Sequence, residues 1–185
     1  MPSFCSFVMR ARGDASDLHA LQCLLERGRN GNSLDGDVIL DFELVFPKDV
    51  VGRNEIGHPI LAPDLGHTFL WIHDRGVPPM ASIEGNVLSL SGDSKWCPPS
   101  SFMNRLSVEF PGLDFYLSGT TDFSHSTTKD ERREVLHAKG GNCFCRYDQF
   151  DSNLVGVNLD EQEDPEGHAW DGLVLDTGYV LNYLL

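Results

Sequence analysis

Cys143 and Cys145, with His137 just upstream and Cys97 at a distance, are residue types that could assemble a four-ligand zinc site. Structural zinc sites present their thiolates and imidazoles as paired knuckles, two to four residues between ligands. Here there is a single Cys-x-Cys pair, and on a strand such a pair points to one side, where small apolar side chains pack well. The acidic stretch offers a second arrangement. Asp160, Gln162 and Asp164 fall on positions one, three and five of a calcium loop, and Asp171 on position twelve. Position six of such a loop needs glycine for its sharp turn and position twelve a bidentate glutamate. Pro165 stands at the one and Asp171 at the other, so the stretch reads as a solvated acidic loop. Asp37, Asp41 and Glu43 are a third set, carboxylates on one side of a strand in the manner of a metal-dependent nuclease. Their alternation with apolar neighbours is already explained by a wet sheet face. No metal and no cofactor is expected.

The seven histidines lack metalloprotease spacing. His67 and His73, six residues apart around a strand, could share a face, and polar strand ends are the simpler reading. A Cys–His or Ser–His pair is compatible with the composition, but no Gly-x-Ser-x-Gly elbow is present. Gly28-Arg29-Asn30-Gly31 lacks the lysine and following helix of a phosphate loop.

Charge is the strongest signal. Residues Tyr147 to Leu185 contain nine carboxylates and no Lys or Arg, against a net charge of −14 for the 185-residue chain. That field, with an isoelectric point near 4.7, argues against contact with phosphate backbones. Apolar residues make up 41% and aromatics 10%, both in the globular range. No run approaches the ~20 apolar residues of a membrane span. The start, Met1 to Arg10, lacks the charged and apolar regions of a secretory signal. Five cysteines, an odd number, fit reduced thiols in a cytosol.

The elements that must carry these residues follow from periodicity. Ser3 to Ala11 alternates as a strand. A helix follows with Asp14 or Ser16 as cap, Leu18, Leu21, Leu24 and Leu25 on one face, and Gly28 as its stop. Asp37 to Phe46 reads as a strand with Val38, Leu40, Phe42, Leu44 and Phe46 inward. Pro47 to Gly66 reads as a long polar connection with three prolines. His67–His73 and Met80–Ser91 read as strands, Ser100–Phe110 as a helix with Phe102, Met103, Leu106 and Phe110 on one side, and Leu113, Phe115 and Leu117 as the opening of a further strand. Arg132–Lys139 and Cys143–Phe150 form a hairpin across Gly140-Gly141-Asn142. Two strand–helix–strand units, about 3–46 and 80–118, predict a single α+β domain: a mainly antiparallel sheet with two short helices on one face, ferredoxin-like. Lobes at 1–79 and 80–150 are the alternative division, with 147–185 as an acidic segment packed on or beside the domain.

Leu88-Ser89-Leu90-Ser91-Gly92-Asp93-Ser94-Lys95-Trp96-Cys97-Pro98-Pro99, followed by Phe102, Leu106 and Phe110-Pro111-Gly112-Leu113-Asp114-Phe115, resembles the signature of an uncharacterised family of plasmid- and phage-borne proteins of the YubB type. The opening Met1-Pro2-Ser3-Phe4-Cys5-Ser6 is similar to that family's start, with Phe4 where a Trp more often precedes the Cys. The resemblance implies a ferredoxin-like domain and a mobile-element setting, and supplies no activity. Physically the motif is architecture: a strand end, Trp96 covering the core, and two prolines that set the backbone for a helix.

These readings converge on a non-enzymatic interaction protein. Asp160, Glu161, Glu163, Asp164, Glu166 and Asp171, with Trp170 as apolar anchor, would dock on a host protein with a basic groove. In a mobile-element setting such grooves belong to nucleic-acid-binding defence complexes, whose DNA the carboxylates would mimic. Direct nucleic-acid and membrane contact are not expected. The alternative is a small-molecule binder or hydrolytic enzyme that uses the sheet face and the 47–66 loop.

Overall fold

The computed structural model describes residues 4–32, 36–73, 79–122 and 131–149. Strand β1 (Phe4–Arg12) buries Cys5, Phe7, Met9 and Ala11 and turns the intervening residues the other way, as alternation demands. Helix α1 (Ala15–Arg27) buries the four predicted leucines against it. Gly28 ends α1, but not through a left-handed φ. A Cβ there would stand 2.4 Å from Val45 and 2.5 Å from Leu40, so glycine is required by close approach.

After β2 (Arg29–Asn32), β3 covers only Val38–Asp41, and the chain then coils into a single turn, α2 (Phe42–Val45). The expected strand to Phe46 is therefore corrected. Asp41 accepts the Glu43 N–H through its carboxylate at 2.9 Å, a cap that starts a helical turn. Phe42 and Val45, three apart, are both buried, and Leu44 is left 44% exposed.

The 47–66 connection also has more order than its composition predicts. A 3-10 turn (Pro47–Asp49) leads into a two-stranded sheet of β4 (Val50–Arg53) and β5 (Pro59–Leu61). Asn54 makes the hairpin turn, its side-chain oxygen accepting from the Ile56 and His58 N–H groups, while Gly57 takes φ 86°. Arg105 pins the root: its guanidinium donates to Asp49 at 2.7 Å and lies 4.6 Å over the Phe46 ring.

Strand β6 (Phe69–Ile72) is followed by a hairpin, β7 (Ser82–Glu84) and β8 (Val87–Lys95), where one continuous strand was expected. Helix α3 (Ser100–Glu109) buries Phe102, Met103 and Leu106 as predicted. Strands β9 (Asp114–Asp122), β10 (Glu131–Lys139) and β11 (Asn142–Gln149) complete the described chain, the last two joined as the expected hairpin.

Among the described residues the larger sheet runs β11-β10-β9-β1-β8-β6-β3-β2, every pairing antiparallel, with β7 beside β8. The protein is thus a mixed α+β fold. Buried faces of α1, α2 and α3 share one cluster with β1, β8 and β9, and Phe42 stacks on Phe102 with centroids 4.2 Å apart. Among the described residues, the buried sides of the three helices all pack on this one face of β1, β8 and β6, which leaves the opposite face helix-free. At its edge, Gly92 lets β6 run close to β8: a Cβ there would lie 2.2 Å from the Trp71 carbonyl oxygen.

Candidate functional site

The helix-free face of β6 presents Phe69 and Trp71, two residues apart, beside Lys95 at the end of β8. Phe69 meets the Trp71 ring edge-on at 4.8 Å, and Phe4 of β1 does so at 5.4 Å from its own strand. Such edge-to-face contacts fix the rings against each other without covering them. The β4–β5 hairpin rises alongside. Between hairpin, β6 and the end of β8 lies an open groove of about 550 Å³, within the range of small-molecule sites. Its floor and walls are Phe69, Trp71, Ile60 and Leu61; its polar groups are Asn54, His58, Asp64, His67 and Lys95.

Trp96 forms the far rim. The sequence reading placed it over the core, and the structure corrects this: Trp96 has φ 68° and is 60% exposed. Left-handed backbone at a bulky residue turns the indole away from the sheet. Pro98 and Pro99 are buried in its stead, Pro98 against Gly119, where a Cβ would come within 2.5 Å of its ring. The Lys95 ammonium sits 5.0 Å over the indole. Ser94 holds the turn, its hydroxyl donating to the Cys97 carbonyl at 2.7 Å.

Next to this rim, Cys97 Sγ lies 3.7 Å from Nε2 of His67. Burial pushes the His67 imidazole below its ordinary pKa, opposed by a hydrogen bond to the Cys97 backbone and by the charge of Asp64. Asp64 is itself oriented by accepting the Gly66 N–H at 2.9 Å.

Two other histidine clusters do different work. On the sheet face, Asp93 accepts the Ser6 hydroxyl at 2.7 Å and lies 3.1 Å from His73 Nε2. The carboxylate stands between serine and imidazole, so His73 cannot take the Ser6 proton and no serine nucleophile results. His67 and His73 thus serve separate partners. At β9–β10, His137 is fully buried, stacked on Tyr116 with centroids 4.6 Å apart, its Nε2 3.2 Å from Asp114. Lys139 donates to the same carboxylate at 2.9 Å. Burial raises the Asp114 pKa, but the bonds from His137 and Lys139 outweigh it and hold the group at about 2.

Of the candidate metal sets, the calcium-loop residues Asp160, Gln162, Asp164 and Asp171 lie outside the described residues. His137 is engaged by Asp114 and Cys97 by His67, while the side chains of Cys143 and Cys145 lie outside the described part of β11. Asp41 caps α2 and accepts from Asn30, and Glu43 pairs with Arg53. Among the described residues no group of three His, Cys, Asp or Glu is placed to hold a metal ion, and no helix is long and apolar enough to cross a membrane. Asp160, Glu161, Glu163, Asp164, Glu166, Trp170 and Asp171 lie outside the described residues. The groove itself was not singled out in the sequence, although Phe69-Leu70-Trp71-Ile72 carries a signal: alternation that puts two large rings on the face away from the core.

No family model matches the chain, and neither the curated proteins nor the solved structures compared with it contain a match.

Proposed function

We propose that this protein binds a small, flat, ring-bearing molecule with one negative group in the groove between the β4–β5 hairpin and the helix-free sheet face. The observation that carries the reading is the disposition of rings: Phe69 and Trp71 form one wall and Trp96 the rim, held by strand pairing on one side and the Ser94 turn on the other. Rings stack on rings, and Lys95 with the two histidines supplies donors for a carboxylate or similar group. A net charge of −14 favours a singly charged ligand over a polyanion. The test uses intrinsic fluorescence in a Trp170→Phe background, leaving Trp71 and Trp96 as reporters. Indole-3-acetate and benzoate should give saturable quenching, and Lys95→Gln should weaken it about tenfold, near 1.4 kcal/mol. Quenching that rises linearly without saturation would remove the proposal.

The core is read as ferredoxin-like. β1-α1-β6-β8-α3-β9, laid out in the order β9-β1-β8-β6, supports this, with β3 and β2 extending one edge and β10 and β11 the other. A second reading keeps the mobile-element setting suggested by the YubB-type resemblance. The nine carboxylates of 147–185 favour docking on a basic host protein, an anti-restriction or anti-CRISPR inhibitor. Neutralising Asp160, Glu161, Glu163, Asp164 and Glu166 together should then abolish capture of that partner, and moderate salt should weaken it.

A further inference from the structure

The β8–α3 turn places the Cys97 thiol behind His67, an imidazole that lines the groove, and neither the core nor the binding reading uses the thiol. Cys97 is half-buried and outside any disulfide, and its Sγ lies 3.7 Å from His67 Nε2, while His67 is a wall of the groove. The turn has the layout of a strand–nucleophile–helix connection: β8 ends at Lys95, Trp96 takes φ 68°, Cys97 follows, and α3 begins at Ser100. Left-handed backbone at a non-glycine residue is a strained state that surroundings must impose, and such strain gathers at working sites. Here it is held by the Ser94 hydroxyl on the Cys97 carbonyl and by the Cys97 N–H donating to Lys95 at 2.9 Å. The imidazole is likewise positioned, between the Cys97 backbone and the Asp64 charge.

We propose that Cys97 and His67 are the nucleophile and base of an acyl-transfer site that hydrolyses esters of ring-bearing molecules seated in the groove, an assignment that rests on the groove being a ligand site. Burial lowers the His67 pKa and so favours the neutral ring, and in the tautomer with its proton on Nδ1 the Nε2 that faces Cys97 Sγ at 3.7 Å accepts a proton. The Cys97 proton passes to Nε2 as the sulfur electron pair forms a bond to the ester carbonyl carbon. The carbonyl–oxygen bond to the alcohol breaks, and the departing oxygen takes the proton from Nε2. Water then attacks the thioester and gives a proton to Nε2. The carbon–sulfur bond breaks, the acid leaves, and sulfur recovers its proton. Ester and water become acid and alcohol, with no oxidant, reductant or metal ion required.

Two measurements on the full chain test this. The first is site-resolved alkylation by iodoacetamide at pH 7, read by mass spectrometry, with Cys23, exposed on α1, as internal standard in a His19→Gln background that removes its i−4 imidazole. Cys97 should react about tenfold faster than Cys23 despite its poorer access, and His67→Gln and His67→Asn should each bring it down to the Cys23 rate or below. The second is p-nitrophenyl acetate hydrolysis, which should proceed through many turnovers in the parent and vanish in Cys97→Ser, whose folding is checked by its urea-unfolding midpoint. Equal alkylation rates, or release that stops after one equivalent, would overturn the acyl-transfer assignment while leaving ligand binding intact. Loss of saturable quenching in the parent would instead show that the groove reading has failed.

Discussion

Two ends of one sheet each hold an imidazole near a carboxylate, and they have opposite physical outcomes. At β9–β10, His137 is sealed from water and bonded to Asp114, which Lys139 also engages; the carboxylate has two side-chain partners and is held near 2. At the β6–β8 end, His67 is only partly covered, its imidazole is pushed toward neutrality by burial, and its neighbours are the Cys97 backbone and, at 3.7 Å, the Cys97 thiol. Identical residue types therefore give a lock in one place and a proton acceptor in the other. What differs is how many partners the backbone brings, and whether the site opens onto solvent. A carboxylate bonded by two side chains contributes to stability; an imidazole beside a thiol and open to a groove is placed for chemistry.

The sharpest way to break this comparison is at its boundary. Gly92→Ala would drive a Cβ to 2.2 Å from the Trp71 carbonyl, separating β6 from β8, and should cost about 3 kcal/mol in urea unfolding while also abolishing ligand quenching. Next, Asp114→Asn should cost about 2 kcal/mol, since His137 and Lys139 lose a charged acceptor, and should leave groove binding unchanged. The pH dependence has a definite sign: the folded Asp114 pKa is depressed from 3.8 to about 2. Its contribution is therefore present above pH 4 and lost as pH falls from about 4 to 2, and acid titration of Asp114→Asn should lack that component. Arg105→Ala removes the bond to Asp49 and the cover on Phe46. It should cost about 1.5 kcal/mol by thermal unfolding and loosen the hairpin root enough to weaken quenching. Smallest in stability is Trp96→Ala, within ~0.5 kcal/mol of the parent because the indole is exposed, yet it should lower affinity for indole-3-acetate more than any surface change elsewhere. If Trp96→Ala unfolds the protein and Asp114→Asn does not, the assignment of the two ends is inverted.

Much of the frame was legible in residue order. The leucines of α1, Phe102, Met103 and Leu106 of α3, the alternation of β1 and the Gly140-Gly141 hairpin all fell where period and turn chemistry put them. Differences came where a polar side chain bonded the backbone a few residues on and bent the chain, an effect that hydrophobic period does not register. Asp41 spent its carboxylate on a cap and turned a strand into a helical turn. Asn54 closed a hairpin inside a connection whose prolines had argued for irregular chain. Trp96, read as covering the core at a strand end, has φ 68° and stands 60% exposed, with Pro98 and Pro99 buried after it.

Local order thus dictated β1, the β10–β11 hairpin and the two long helices, because hydrophobic period and glycine turns act over a few residues. It also placed Phe69 and Trp71 on one face. The fold alone decided what those faces meet. The groove needs β6, the hairpin and the end of β8 together, and Cys97 reaches His67 across thirty positions of chain. Proximity between distant residues is a property of strand order and turn geometry, and no window of sequence contains it.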